Sequence, residues 1–170
     1  MRKLLPLAAL LAAPTQAQDG QVFYASDSWP VHASAGTCTL VQAGAAADSA
    51  LSVSYDGAEV TLTTTNTLES ALPASGKVSL AIVFLDNGDV EFDDGWGSRE
   101  FAFVQEGGAY RFSARFAGEK NVRQFLTDLA SSRTIGLLQR RQTVVAYDLA
   151  DISRSVARLR DCAGARVAAN

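Results

Sequence analysis

Apolar and polar residues alternate with a period of two along most of this chain, and the period becomes helical only in its last third. Three stretches predict hairpins whose registers can be written down. Around Asp56-Gly57, a two-residue turn sets Val53 opposite Val60 and Leu51 opposite Leu62, putting four apolar residues on one face. Around Asn87-Gly88, the stretch Val78 to Asp93 pairs Leu85 with Val90 and Val83 with Phe92. Around Gly107-Gly108, Phe101 to Ala114 pairs Phe103 with Phe112 and Gln105 with Tyr110. In each, turn chemistry and alternation agree independently.

Val122, Phe125, Leu126 and Leu129 then fall at i, i+3, i+4 and i+7, predicting an amphipathic helix over 119–130. Leu149, Ile152, Val156 and Leu159 predict another over about 149–162, with Asp148 or Asp151 as its cap. Between the helices, Thr134–Gln139 and Thr143–Tyr147 read as strands joined at Arg140-Arg141-Gln142. Thr37–Val41 reads as a first strand, while 42–50 and 66–76 read as connections. Early strands and late helices predict an α+β, mainly β fold. Its antiparallel hairpins would form a sandwich-like or half-open sheet, with two amphipathic helices in the C-terminal half.

The chain's start changes the picture from fold to compartment. Met1-Arg2-Lys3 is a short positive start, and Leu4 to Ala13 is an apolar run too short to span a bilayer. Thr15-Gln16-Ala17 places small residues where a signal peptidase reads. Residues 1–17 therefore read as a signal peptide cleaved after Ala17. Residues 18–170 are then expected to fold as a single disulfide-clamped globular domain in the periplasm or outside the cell. No other apolar stretch is long enough to cross a membrane, and no cysteine follows the cleavage point to carry a lipid. The mature protein is expected to be soluble. In that compartment Cys38 and Cys162 read as one bridge from the first strand to the last helix, worth about 4–5 kcal/mol by chain-entropy reasoning. Use of the pair as redox or metal thiols would call for CxxC spacing or further His and Cys ligands, which this chain lacks.

Charge is unevenly spread. Residues 18–98 carry 11 acidic side chains against Lys77 alone, whereas residues 99–170 carry 12 basic and 7 acidic. Two readings follow: the halves pack together and neutralise each other, or the surface is bipolar and steers a charged partner. An acidic, exported chain argues against nucleic acid as that partner.

Candidate chemistry is sparse. His32 is the only histidine and sits near the N-terminal edge, a poor place for the base of a triad. Ser98, in Gly95-Trp96-Gly97-Ser98-Arg99, lacks the GxSxG spacing of a nucleophile elbow. Asp89, Glu91, Asp93 and Glu100 fall at positions 1, 3, 5 and 12 of a calcium loop, yet Asp94 stands where glycine is required and strands flank the run. A solvated strand face explains the acidic cluster from Asp86 to Asp94 without a metal. Paired carboxylates from that cluster or Glu100 could in principle act as acid and base on a glycan. No catalytic residue, metal ligand or cofactor is assigned. The binding candidates are Trp96, as a loop anchor, and Arg140 and Arg141, which could grip an anionic group. The commoner alternatives are a loop tryptophan folded back over the core and a solvated turn. Trp29 reads as a loop tryptophan folded over the core.

Val144-Val145-Ala146-Tyr147-Asp148-Leu149 followed by Ser155 to Cys162 resembles the closing segment of small exported proteobacterial proteins in which a strand enters a helix ending in Leu-x-x-Cys. Leu72-Pro73 through Val78 to Val83 is similar to the invasion-associated locus B family. That resemblance implies a periplasmic or surface-exposed β-sandwich acting in host interaction rather than catalysis. The chain has only two cysteines and lacks the family's Gly-Phe before the last helix, and no site residues carry over. The expectation is a soluble, exported, non-enzymatic binding or envelope-accessory protein, whose partner is another envelope or extracellular protein. The alternatives are a carboxylate-based hydrolase acting on envelope material and a structural or assembly factor of the envelope.

Overall fold

The computed structural model describes residues 20–46, 49–68, 72–85 and 96–167. It is a mainly antiparallel β structure with two helices in the C-terminal half, as the alternation predicts. The strands are β1 (Gln21–Tyr24), β2 (Val31–Ser34), β3 (Thr37–Val41), β4 (Ser49–Tyr55), β5 (Glu59–Asn66), β6 (Ser75–Leu85), β7 (Ser98–Glu106), β8 (Ala109–Ala117), β9 (Thr134–Gln139) and β10 (Gln142–Asp148). The helices are α1 (Glu119–Ser131) and α2 (Ile152–Val167). All ten strands join one sheet in the order β1-β2-β3-β4-β5-β8-β7-β6-β9-β10. The first five follow the chain as a meander. The next three are laid down in reverse, and the β9–β10 hairpin then adds beyond β6.

The Gly107-Gly108 hairpin has the predicted register, with Phe103 opposite Phe112 and Gln105 opposite Tyr110. The Asp56-Gly57 hairpin differs by two residues: Val53 faces Leu62, Leu51 faces Thr64, and Tyr55 faces Val60. Its turn is wider because Asp56 Oδ1 accepts the backbone N–H of both Ala58 (2.8 Å) and Glu59 (2.7 Å). A shift of two leaves every side chain on its face, so the same core forms. The Asn87-Gly88 turn lies outside the described residues. On the described side of it, Ala81 pairs with Ser98, and Ile82 exchanges backbone hydrogen bonds with Trp96 and Gly97. Thr37–Val41 is the third strand rather than the first, since the short β1 and β2 precede it.

One contiguous core fills the space between sheet and helices. Val122, Phe125, Leu126 and Leu129 are the buried stripe of α1. Phe125 stacks on Phe116 of β8 (centroids 4.5 Å apart) and meets Phe84 of β6 edge-on at 5.6 Å. α2 buries Ile152, Val156, Leu159 and Cys162 and packs on β1 to β4. Cys162 is bonded to Cys38 of β3, with the Cα atoms 6.1 Å apart and both side chains buried. Asp148 Oδ1 takes the N–H of Ala150 (2.9 Å), turning the chain out of β10 ahead of α2. No helix among the described residues is long and apolar enough to cross a membrane.

Candidate functional site

The sheet curls enough to bring its last strand back to its middle. Asn66 at the end of β5 donates from Nδ2 to the Val144 carbonyl of β10 (3.1 Å), and the Tyr147 hydroxyl of β10 donates to the Thr65 carbonyl (3.1 Å). Burial pushes the Tyr147 phenol up to about 12, so it remains a neutral donor at any physiological pH. Strands β5 to β10 thus form a curl whose β10–β5 closure depends on side chains reaching backbone carbonyls.

A pocket of about 430 Å³ opens at this seam. Leu68, Leu72, Val78, Leu80, Phe112 and Val144 make its apolar wall. Its polar lining comes from Thr67, Gln139, Gln142 and Thr143. The wall contributed by the β5–β6 connection is fixed by one phenol. Tyr110 donates its hydroxyl to the Leu72 carbonyl (2.7 Å) and accepts the Leu72 N–H (3.0 Å). Beside Phe112 in the register, Thr64 is buried with its Oγ1 lacking a hydrogen-bond partner among the described residues.

Arg140 and Arg141 form the two-residue turn between β9 and β10, immediately beside two pocket residues, Gln139 and Gln142. Both arginines are exposed, and their φ values of 50° and 68° lie in the left-handed region. Such a turn suits the twist of a hairpin but normally selects Asn-Gly.

Trp96 lies against the core beside α1. It is half-buried and its ring meets Phe116 and Phe125 edge-on at 5.5 and 5.6 Å. Nε1 donates to Asp128 Oδ2 of α1 (2.8 Å), and the Arg99 guanidinium lies 5.9 Å from the ring centroid. Trp96 clasps the start of β7 to α1. Trp29 is buried as expected and donates from Nε1 to the Ala150 carbonyl (3.0 Å).

The remaining candidates do not converge. His32 on β2 and Ser98 on β7 lie five strand positions apart in the sheet. His32 Nδ1 is shielded and has no hydrogen-bond partner among the described residues. The acidic cluster 86–94 lies outside the described residues, and Glu100 pairs with Lys77 at 2.7 Å on the surface. Among the described residues no group of three or more His, Cys, Asp or Glu side chains could hold a metal ion. Of the ion pairs among them, two join the acidic half to the basic half, Glu59–Arg115 across β5–β8 and Lys77–Glu100 across β6–β7.

A second, wider cleft of about 870 Å³ lies between the β4–β5 turn, the start of α1 and the end of α2. Arg123 and Arg160 stand with Glu59 and Glu119 around its apolar floor of Tyr55, Val122 and Leu126. Arg123 is already within 3.6 Å of Glu119, and Glu59 within 3.3 Å of Arg115.

Sequence reasoning named Arg140 and Arg141 as candidates and gave no sign of the seam pocket beside them. Its wall comes from four strands and a connection that only the non-local strand order brings together. In comparisons with protein-family models, curated proteins and solved structures, none matches this chain.

Proposed function

We propose that this chain is an exported, non-enzymatic binding or accessory protein of the bacterial envelope, working in the periplasm or outside the cell. The observation that carries the reading is the Cys38–Cys162 bond. It joins two fully buried side chains separated by 124 residues, an arrangement that persists where thiols are oxidised and not in a reducing cytosol. The leader-like residues 1–17 agree with it, as does the resemblance of the β10–α2 segment to small exported proteins and to the invasion-associated locus B family. Its partner is another envelope or extracellular component, and the β9–β10 tip with Arg140 and Arg141 is the contact surface.

The test is to express the full chain with a C-terminal tag in a Gram-negative host and fractionate the cells. The expected product starts at Gln18, is recovered from periplasm or medium, and shows no titratable thiol until denatured and reduced. Crosslinked capture from the same fraction then yields an envelope component in near-stoichiometric amount, lost on charge reversal at Arg140 and Arg141. An unprocessed chain in the cytoplasm with two free thiols overturns the reading.

A further inference from the structure

The β9–β10 turn carries a cost that the hairpin does not require. A left-handed conformation costs an ordinary L-residue roughly 1–2 kcal/mol, and here two consecutive arginines hold it. Asn-Gly would fill the same turn with little strain. What the arginines add is two guanidinium groups on one tip, and neither forms an ion pair with a described residue.

That tip adjoins a cavity whose described lining residues carry no charge. Gln139 and Gln142 flank the turn and line the seam pocket, so its polar mouth and the two cations are contiguous. Behind the mouth, half-buried Leu72, Val78 and Val144 leave apolar surface open to the pocket, against Leu80 and Phe112. A volume of about 430 Å³ falls within the roughly 300–1,000 Å³ of small-molecule sites.

We propose that the seam pocket binds an anionic single-chain amphiphile, its acyl chain against Leu72, Val78 and Leu80 and its carboxylate or phosphate head held by Arg140 and Arg141. This rests on the reading of the chain as an envelope binding protein. Charge complementarity selects the occupant. A neutral glycan would leave both guanidinium groups unused, and a cationic head would be repelled. An added peptide strand would need the free edge of β10, where the Val144 carbonyl is already taken by Asn66. Planar guanidinium forks match carboxylate and phosphate alike, so the pocket reads head charge and chain rather than one head group.

The test is a titration of the purified protein with sodium dodecanoate and with monododecyl phosphate, both below their micelle thresholds, followed by backbone amide NMR. The expected result is saturable shifts at Thr67 and from Gln139 to Val144 with both anions. Dodecyl maltoside should bind at least about tenfold more weakly, and dodecyltrimethylammonium should not bind. The double variant R140N/R141G keeps the turn and removes the charges, and should weaken both anions about tenfold or more while leaving dodecyl maltoside unchanged. T143W narrows the mouth and should abolish binding of every ligand. Sedimentation with phosphatidylcholine vesicles carrying lysophosphatidylglycerol would identify a membrane-borne single-chain lipid as the natural source, and binding of the free amphiphiles alone a soluble one.

Absence of saturable shifts with either anion, or full affinity in R140N/R141G, would overturn the proposal. These outcomes stand apart from the export reading. A processed, disulfide-bonded chain that binds neither anion loses only this site, and a reduced cytoplasmic chain that binds dodecanoate loses only the export.

Discussion

Replacing both bridge cysteines by alanine tests how this fold is held together. The Cys38–Cys162 bond closes a loop of 124 residues. Chain-entropy reasoning then gives about 5 kcal/mol at 25 °C, drawn from the freedom that the cross-link denies the unfolded chain. Domains of this size are stable by about 5–15 kcal/mol in total, so C38A/C162A should lose between a third and all of its stability. Urea unfolding of the parent and the variant, followed by tryptophan fluorescence, measures the difference. With a slope of about 2 kcal/mol per molar, the midpoint should fall by about 2–3 M. The slope should also rise, because an uncrosslinked chain exposes more surface when it unfolds. The source of the effect is open to a separate check by hydrogen exchange. If the bond acts on the unfolded state, the most protected amides of β5, β8 and α2 should lose protection by the same factor. A loss confined to α2 would show that the bond pins the helix in the folded state instead. A midpoint drop below about 0.5 M would refute the chain-entropy account altogether.

Trp96→Phe keeps a ring against Phe116 and Phe125 but removes the donor to Asp128; it should cost about 1–2 kcal/mol by thermal or urea unfolding. If Trp96 were instead a binding anchor, the same change would weaken partner capture and leave the melting temperature unmoved. Thr64→Val removes a buried hydroxyl that lacks a partner while keeping its shape, and should raise stability by up to about 1 kcal/mol in the same assay. Asp56 is held below its ordinary carboxylate value of 3.8 by hydrogen bonds from the Glu59 and Ala58 backbones. Its contribution is therefore complete above that ordinary value and is lost as pH falls through the lowered one. Melting temperatures between pH 5 and pH 2 should fall more steeply for the parent than for Asp56→Asn, and parallel curves would exclude the effect.

What could be read from the sequence was whatever neighbouring residues decide. Gly107-Gly108 admits a two-residue turn, so the Phe103–Phe112 register follows from local chemistry. Asp56-Gly57 looked the same, but the Asp56 carboxylate captured two N–H groups and widened the turn. Both helices were legible from one apolar stripe each. β1 was not, because Gln21-Val22-Phe23-Tyr24 has no alternation and its pairing with β2 is irregular between Val22 and Tyr24. Nor was the partner of Trp96, since Asp128 lies 32 residues away on a helix. The seam pocket was hidden for the same reason: no spacing rule says that β6 pairs with β9, or that Asn66 reaches Val144.

The two ends of the sheet are secured by different means, and the difference bears on where binding belongs. At the β1–β4 end, α2 is fastened by the buried disulfide to β3. Trp29 bonds the Ala150 carbonyl just ahead of α2, and the Arg158 guanidinium lies 5.9 Å from the Tyr24 ring centroid. At the β10 end, the described hydrogen bonds across the seam are two, from Asn66 and Tyr147 to backbone carbonyls, beside the packing of buried Tyr147 and half-buried Val144 on the core. Each such bond contributes about 0.5–1.5 kcal/mol net, against about 5 kcal/mol for the bridge. Segments with few buried contacts open first, and sites that must admit a ligand draw on them. A fold that loads its strongest constraint at one end can leave the other free to part around an acyl chain. Arg140 and Arg141 stand at that end, so the proposed amphiphile site gives the left-handed turn and the side-chain-closed seam one explanation between them.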